Sequence, residues 1–202
     1  MLDINILLEK GGTFRELNAG EVVFNQGSSA IFYHQLISGR VRWATLHANG
    51  KEVLHSIVEP GESFGDLPVF HEGPYTASAI ADVPSKLIRL RIESFHEILE
   101  EFPDLQVQFT QLFAARLRYH FFLTQTLSTN SPEYILKTLL EYFNQEHKYI
   151  CQECHRLLLT RQQLANFTGL RVETVIRTIK NLQKNSQLEV IRGKVFIPAD
   201  GL

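Results

Sequence analysis

The chain has 202 residues, 44% of them hydrophobic, and a formal net charge of −2, which suits one large or two smaller globular domains. It contains no run of about 18 apolar residues, so we expect no membrane span, and its two cysteines are too few for a disulfide-built fold. Residues 1–5 carry no positive segment followed by an apolar stretch, so we expect no secretory signal and a cytoplasmic location.

Residues from about 12 to 92 alternate between short apolar segments and glycine-containing turns, which predicts a β-barrel or jelly roll. Asn49-Gly50 predicts a two-residue hairpin turn between two of the strands. The predicted strands are Val22–Phe24, Ile31–Ile37, Arg40–Leu46, Glu52–Val58, Tyr75–Ala81 and Ser85–Leu90.

The pattern then changes to helices. Ile92 to Glu100 reads as a short helix with Ser94 as a candidate cap, and a long helix runs from about Asp104 to Leu127 after Pro103. Because the long helix is apolar on more than one side, it needs two partners. We predict that one side covers the barrel and another pairs with a second copy of the chain, the alternative being a helix buried inside one domain. The predicted pairing residues are Phe109, Leu112, Phe113, Leu117 and Leu123.

A break from Ser128 to Pro132 predicts a hinge, and Glu133 to Gln145 predicts another amphipathic helix. The segment from Thr160 to Arg177 then predicts a helix-turn-helix, with Thr160 capping its first helix and Gly169 in the turn. We expect a small core between the two helices, formed by Leu164, Leu170 and Val175.

The second helix of this pair places Glu173, Ile176, Arg177 and Lys180 on one face, because they are spaced at i, i+3, i+4 and i+7. Residues 156–194 hold eight Lys and Arg against two Asp and Glu, a net charge of +6, which leaves −8 for the rest of the chain. Such local basicity fits contact with phosphates, although a solvated helix face has the same composition. Residues 188–197 predict a hairpin that follows the helix as a wing.

In this order, a barrel, a long helix, a hinge and a winged helix-turn-helix resemble the CRP/FNR family of bacterial transcription regulators. The resemblance implies an α+β fold: a cyclic-nucleotide-binding-like effector barrel over 1–102, a dimerisation helix and hinge over 103–130, and a winged helix-turn-helix DNA-binding domain over 131–202. In the first half it rests on Leu17, Gly20 and residues 24–27, 37–41 and 60–66. In the second half it rests on residues 160–162, Ala165, 169–170, 172–175, Arg177, 182–184 and 193–194.

The resemblance implies a sequence-specific regulator, not an enzyme, that binds near-palindromic double-stranded DNA as a homodimer, with RNA polymerase as a further candidate partner. By position, Glu173 and Arg177 would read bases. Arg177 can donate two hydrogen bonds to guanine, and Glu173 can either accept from cytosine or hold Arg177 in place. An exposed Ile176 could contact a thymine methyl group. The remaining predicted DNA-binding residues, better placed for phosphates, are Arg161, Gln162, Arg171, Thr174 and Lys180.

The predicted effector pocket departs from the family pattern. Relatives that bind cyclic AMP hold its phosphate with an Arg-Ser pair, but Tyr75 stands at the arginine position, and no Arg or Lys lies between Gly65 and Ala81. Without a guanidinium the phosphate loses its strongest hydrogen bonds, so we predict that cyclic AMP is not the effector. The effector is unknown, and the pocket is either filled or holds another ligand. Its candidate residues are Gly65, Asp66, Leu67, Tyr75 and Thr76.

Several other readings remain open. His147, Cys151, Cys154 and His155 offer four zinc ligands, although complete zinc sites usually draw on two separated segments. We therefore favour no metal and a hairpin with two ordinary thiols, with reversible disulfide formation as a further alternative. Haem sensing would need one of the scattered histidines, none of which stands out. A cupin-type barrel enzyme would need a His-x-His pair, which the sequence lacks. A regulator without ligand control also fits the sequence.

Overall fold

The computed structural model describes residues 2–128 and 131–198. The chain forms two compact units, one up to Gln111 and one from Leu112. The boundary falls within a continuous helix, so the predicted division of the chain at residues 102 and 130 remains a prediction.

The first unit is built from two four-stranded antiparallel sheets, as the jelly-roll prediction requires. Helix α1 (Ile4–Glu9) precedes them, and α2 (Leu67–Phe70) and α3 (Ile92–Glu101) accompany them. One sheet has the order β1 (Thr13–Leu17), β8 (Ser85–Arg91), β3 (Phe32–Ser38) and β6 (Ser63–Phe64). The other has the order β2 (Val22–Phe24), β7 (Ser78–Ala81), β4 (Val41–Leu46) and β5 (Glu52–Val58).

The barrel core is formed by apolar side chains contributed by strands of both sheets. Their burial supplies the main driving force for closing the two sheets on each other. Because successive side chains of a strand point to opposite faces, this burial also sets the register of each strand. The core cluster comprises Leu17, Phe24, Leu36, Val41, Val58, Phe64, Tyr75, Ala79, Ala81 and Leu87.

Three local predictions for this unit are wrong. The loop at Asn49-Gly50 spans five residues rather than two, because β4 ends at Leu46 and β5 begins at Glu52. Ser94 does not cap α3; Arg91 holds the cap position and makes no side-chain cap bond. Only the last four residues of the predicted strand Tyr75–Ala81 form β7.

Helix α4 covers Asp104–Leu127, as predicted. In the first unit, the Phe109 ring lies 4.9 Å from that of Phe70 and 5.6 Å from that of Phe95, between ring centroids. In the second unit, the Phe122 ring stacks 4.4 Å from that of Tyr142, and Leu123 is only 8% exposed. Because each unit buries one of them within a single chain, Phe109 and Leu123 do not form the exposed pairing surface that we predicted.

The opposite side of α4 remains apolar and exposed. Leu117 is 56% exposed and Phe121 is 67% exposed, with Val107 also exposed. Leu112 and Phe113, the other two predicted pairing residues, are half-buried. Hydrophobicity around the helix thus predicted two partners, but it did not indicate which side of the helix is covered by the rest of the same chain.

The second unit adds α5 (Pro132–Gln145), α6 (Arg161–Thr168), α7 (Val172–Lys184) and the hairpin strands β9 (Glu189–Ile191) and β10 (Lys194–Phe196). Ser131 caps α5 by accepting a hydrogen bond from the backbone N–H of Tyr134. Residues 129 and 130 of the predicted hinge lie outside the described residues. Within the described ranges, no helix is both long and apolar enough to cross a membrane.

Candidate nucleic-acid interface

Helix α6 begins with a complete capping box at Thr160. The Thr160 hydroxyl accepts from the backbone N–H of Gln163 at 3.1 Å, and the Gln163 side chain accepts from the backbone N–H of Thr160 at 2.9 Å. Two N–H groups that a helix start leaves without partners are thus satisfied. The predicted cap is confirmed, and it fixes where the helix-turn-helix begins.

The turn between α6 and α7 depends on Gly169, which has a φ of 69°. This left-handed conformation favours glycine because it lacks a Cβ. The preceding Thr168 hydroxyl donates to the carbonyl of Leu164 at 2.7 Å and is buried. Leu170 is only half-buried, so it contributes less to the inter-helix core than predicted.

The core of the helix pair is larger than the sequence indicated. Leu164 and Val175 are fully buried, as predicted. Phe167 is also buried, and its ring lies 5.6 Å from the Phe143 ring of α5. The 3.6-residue period of α7 identifies two further buried positions, Ile179 and Leu182.

Helix α7 exposes the face that we predicted would contact DNA. Glu173, Arg177 and Lys180 are exposed, and Ile176 is 40% exposed although it is apolar. The buried side of the helix anchors it to α5 and α6, so these exposed side chains project from a rigid support. An acid, a base and an aliphatic group on one exposed face can contact base edges in a major groove.

The predicted phosphate contacts have varied surroundings. Arg161 is half-buried, and its Nη2 donates to the carbonyl of Gly193 in the wing at 3.3 Å. Gln162 is exposed and donates to the side chain of Asn166 at 2.9 Å. Arg171 is exposed at the start of α7, whereas Thr174 is half-buried.

The wing adds two basic residues that were absent from the predicted set of DNA contacts. Arg192 and Gly193 connect β9 and β10 with φ values of 48° and 76°, so both residues of this two-residue turn are left-handed. Arg192 and Lys194 are exposed there. The sequence pattern predicted the hairpin that carries this basic tip, and the position of Arg192 and Lys194 at its turn is the signal that could have added them to the predicted DNA contacts.

In the barrel, Tyr75 of the predicted effector pocket packs against Phe24. Their rings stack with centroids 3.8 Å apart, and the Tyr75 hydroxyl donates to the carbonyl of Phe32 at 3.1 Å. Gly65 has a φ of 64°, and a Cβ there would lie 2.6 Å from the Phe24 ring. Asp66 is fully buried and accepts a 2.6 Å hydrogen bond from the Ser63 hydroxyl. Thus Gly65, Asp66 and Tyr75 come together.

The other two predicted pocket residues are exposed. Leu67 is 37% exposed at the start of α2, and Thr76 is also exposed. Tyr75 and Thr76 therefore face in different directions, and only the tyrosine is part of the buried cluster.

Sequence reasoning also missed His34, which lies beside this aromatic pair. Its ring centroid is 5.2 Å from that of Phe24 and 5.4 Å from that of Phe64. The Nδ1 atom of His34 is buried without a hydrogen-bond partner among the described residues. Burial, assisted by the charges of Arg15 and Arg89, lowers the pKa of His34 to about 3. The histidine is therefore neutral near neutral pH, in keeping with its aromatic surroundings.

The segment around the two cysteines folds back on itself as the predicted hairpin, but a short one whose arms are joined by an isolated antiparallel bridge and two backbone hydrogen bonds. Cys151 is half-buried and Cys154 is exposed, and both are free thiols. Isolated bridges join Ile150 to Leu157 and Arg156 to Phe196. Over the residues that the structure describes, no group of three or more His, Cys, Asp or Glu side chains could hold a metal ion.

Comparison with known proteins matches both halves of the chain. The cyclic nucleotide-binding domain model matches residues 14–102, and the Crp-like helix-turn-helix domain model matches residues 135–199. The CRP-like cAMP-activated global transcriptional regulator of Mycobacterium tuberculosis is 25% identical over 185 residues, covering 90% of this chain and 81% of the relative.

Two solved structures show the same fold. FixK2 from Bradyrhizobium japonicum has a TM-score of 0.77 at 18% identity, and the similarity covers 94% of each chain. The c-di-GMP responsive global regulator CLP of Xanthomonas campestris has a TM-score of 0.77 at 19% identity, covering 96% of this chain and 99% of that one. The two matched domains, their order and the shared fold show that this chain belongs to the CRP/FNR family, which consists of helix-turn-helix transcription regulators and not of enzymes.

Proposed function

We propose that this chain binds a near-palindromic DNA site as a homodimer, with α7 of each copy in the major groove, and that cyclic AMP is not its effector. The observation that carries the proposal is the exposed face of α7 formed by Glu173, Ile176, Arg177 and Lys180. Such a protein acts where the chromosome lies, which for a bacterial regulator is the cytoplasm. RNA polymerase as a partner remains a prediction.

Base reading is assigned to three side chains of this face. The Arg177 guanidinium donates two parallel hydrogen bonds to guanine, and the Glu173 carboxylate accepts from the amino group of cytosine. Ile176, which is exposed although it is apolar, contacts a thymine methyl group. Each good contact to a base is worth about 1–3 kcal/mol of discrimination.

Phosphate contacts would come from the basic and polar residues that surround this face. Arg171 holds the cap position before α7, and Lys180 and the half-buried Thr174 lie on that helix. Arg161 and Gln162 lie at the start of α6. Arg192 and Lys194 extend the basic surface onto the wing. Phosphate contacts fix the register of the protein on the duplex, and they make binding sensitive to salt.

Self-association is assigned to the exposed side of α4. Val107, Ala114, Leu117 and Phe121 recur at intervals of seven, three and four residues, the spacing by which two helices pair along a seam. Threonines at 110 and 124 fall in the same series, and their hydroxyls donate to backbone carbonyls of their own helix at 2.7 and 2.8 Å. Burying this stripe against a second copy therefore leaves no threonine hydroxyl without a partner.

The barrel interior supports the second part of the proposal. The stacked rings of Phe24 and Tyr75 occupy the pocket region, and Tyr75 offers a phenol where a cyclic phosphate would need a cation. The name of the Mycobacterium tuberculosis relative describes a cAMP-activated protein, and we do not extend that property to this chain. Calorimetry with cyclic AMP is expected to give no saturable heat; tight saturable binding would contradict this part.

The DNA proposal is tested by selecting sites from a random duplex pool with the full chain. We expect two inverted half-sites whose centres are about one helical turn, or 34–36 Å, apart. Arg177→Ala should lose the preference for one base pair in each half-site while keeping weak, salt-sensitive binding. Lys180→Ala is the matched control, because losing a phosphate contact should weaken all sequences equally. Unchanged preference in Arg177→Ala would exclude it as a base reader.

The dimer is tested by adding one acidic group to α4 at either of two places. Phe121→Glu puts a charge on the exposed apolar stripe, whereas Gln108→Glu puts one on an exposed position off the stripe. In sedimentation equilibrium, the wild type and Gln108→Glu should have twice the chain mass, and Phe121→Glu should dissociate. A monomeric wild type, or a fully dimeric Phe121→Glu, would exclude this interface.

A further inference from the structure

Cys151 and Cys154, the two cysteines of the chain, lie in one tight turn of the second unit. The backbone N–H of His155 donates to the carbonyl of Cys151 at 2.8 Å, and that of Cys151 donates to the carbonyl of Arg156 at 2.9 Å. His155 has a φ of 53°, which turns the chain back after the second cysteine. As in one turn of a helix, side chains three residues apart are neighbours, so the two sulfurs lie on the same side.

The surroundings of Cys151 favour its thiolate form. Its sulfur accepts hydrogen bonds from the backbone N–H groups of Cys154 and Glu153 and interacts with the Cys154 thiol, and these contacts lower the pKa of Cys151 below its ordinary value. Thiolates, not thiols, react with electrophiles. Cys154 is exposed beside it, so the pair consists of an activated sulfur and an accessible second sulfur.

The turn is joined by backbone hydrogen bonds to the wing. Leu157 donates to the carbonyl of Val195 at 2.9 Å, and Ile197 donates to the carbonyl of His155 at 3.0 Å. Residues 155–157 therefore run alongside β10, which leads back to the basic tip at Arg192. These hydrogen bonds are the physical connection between the cysteine turn and the strand that carries the tip.

We propose that Cys151 and Cys154 form a dithiol site that hydroperoxides oxidise to a disulfide, and that this oxidation weakens DNA binding through the wing. The Cys151 thiolate attacks one peroxide oxygen, the O–O bond breaks, and the leaving oxyanion takes a proton from water. Cys154 then attacks the resulting sulfenic sulfur, its proton leaves with the hydroxide as water, and the S–S bond forms. The two thiols supply the two electrons that reduce the peroxide.

The link to DNA rests on the proposed function, whereas the thiol chemistry does not. A disulfide requires Cβ atoms about 3.8 Å apart, closer than the about 5–6 Å usual for side chains three residues apart in a helical turn. Closing the bond therefore tightens the turn at the end that is bonded to β10. The described residues offer no third side chain to complete a metal site, which favours oxidation over metal binding.

The thiol chemistry is tested on the full reduced chain with a small excess of hydrogen peroxide. We expect both titratable thiols to disappear and the intact mass to fall by two hydrogen atoms, with recovery on adding a dithiol reductant. Cys154→Ser should instead gain one oxygen atom at Cys151, because the partner that resolves the sulfenic acid is missing. Two thiols that survive peroxide would overturn the proposal, and so would an equimolar zinc ion that copurifies and blocks oxidation.

The consequence for DNA is measured with a site selected from the random pool. Oxidation should weaken the affinity of the wild type by about fivefold or more, while the Cys151→Ser, Cys154→Ser double variant should keep its affinity with or without peroxide. Equal affinity of the oxidised and reduced wild type would overturn the coupling to the wing. A reduced protein that binds no duplex, yet forms the disulfide, would instead refute the proposed function and leave the dithiol site standing.

Discussion

The barrel brings Phe24, His34 and Tyr75 together out of solvent, whereas α7 leaves Glu173 and Arg177 exposed on a helix whose other side is buried. In the barrel, these side chains are closely packed, so a change in the size of one of them affects the packing of its neighbours. The arrangement on α7 uses a packed helix as a support for groups that contribute little to folding. Substitutions in the barrel should therefore change stability first, and substitutions on α7 should change binding first.

The largest effect on stability is expected for Gly39→Ala in the barrel. Gly39 has a φ of 90°, and a Cβ there would lie 2.6 Å from the carbonyl oxygen of Pro84 and would also meet the Ser85 hydroxyl. That hydroxyl accepts a hydrogen bond from the backbone N–H of Arg40 at 3.0 Å, so it cannot move away freely. Backbone strain and overpacking together should cost about 3 kcal/mol or more, measured by urea unfolding.

Gly50→Ala separates these two costs. Gly50 has a similar φ of 79°, but an added Cβ would meet nothing within 4 Å. Only the conformational strain of about 1 kcal/mol should remain. Equal losses at the two positions would show that the close contact at Ser85 contributes nothing.

The next effect is a pH dependence carried by His34. The pKa of His34 is lowered from 6.5 to about 3 in the folded chain, mainly by burial. Between pH 6.5 and about pH 3, His34 is protonated in the unfolded chain but neutral in the folded chain, so the free energy of unfolding falls as the pH falls. His34 should lower that free energy by at most about 1.4 kcal/mol per pH unit in this range, measured by urea unfolding at several pH values.

His34→Leu is the variant that isolates this contribution. It keeps an apolar side chain of similar size among the aromatic rings and removes the group that titrates. Its stability should vary less steeply with pH than that of the wild type, whatever its absolute value. Identical slopes for the two proteins would mean that His34 is not the group responsible.

A smaller effect is expected at the start of the helix-turn-helix. Thr160→Ala removes the hydroxyl that accepts from the backbone N–H of Gln163 at 3.1 Å. Loss of such a cap usually costs about 1 kcal/mol, seen as a lower midpoint in thermal unfolding. Thr160→Ser keeps the hydroxyl and should stay close to the wild type, whereas a matching loss in both variants would attribute the effect to the missing methyl group.

Local signals allowed some elements to be predicted closely. Thr160 and Gly169 mark the two ends of α6 by side-chain and backbone chemistry that operates within a few residues. The ends of α4 are also marked by nearby residues, because Pro103 directly precedes this helix and Ser131-Pro132 begins the next one. Such features depend on nearby atoms, so the sequence contains what is needed to find them.

Features that depend on distant contacts were harder to predict. Phe109 and Leu123 were assigned to a second copy of the chain, because hydrophobicity alone does not show which partner covers a residue. Strand β1 was not predicted because Arg15 and Glu16 interrupt its apolar pattern, and it is identified by pairing with β8, more than sixty residues away. His34 drew no attention for the same reason, since its neighbours come from separate strands and loops.

Arg177→Ala is expected to change stability least, although we assign Arg177 the largest effect on DNA recognition. Arg177→Ala removes an exposed side chain from α7 and leaves the buried Val175 and Ile179 in place. Changes at such positions usually stay within about 0.5 kcal/mol, so the thermal midpoint should hardly move. Arg161→Ala is the comparison, because Arg161 is half-buried and donates to Gly193 of the wing at 3.3 Å. A loss of stability in Arg177→Ala as large as in Arg161→Ala would show that Arg177 supports the fold, and the division of roles between a packed interior and an exposed reading face would not hold.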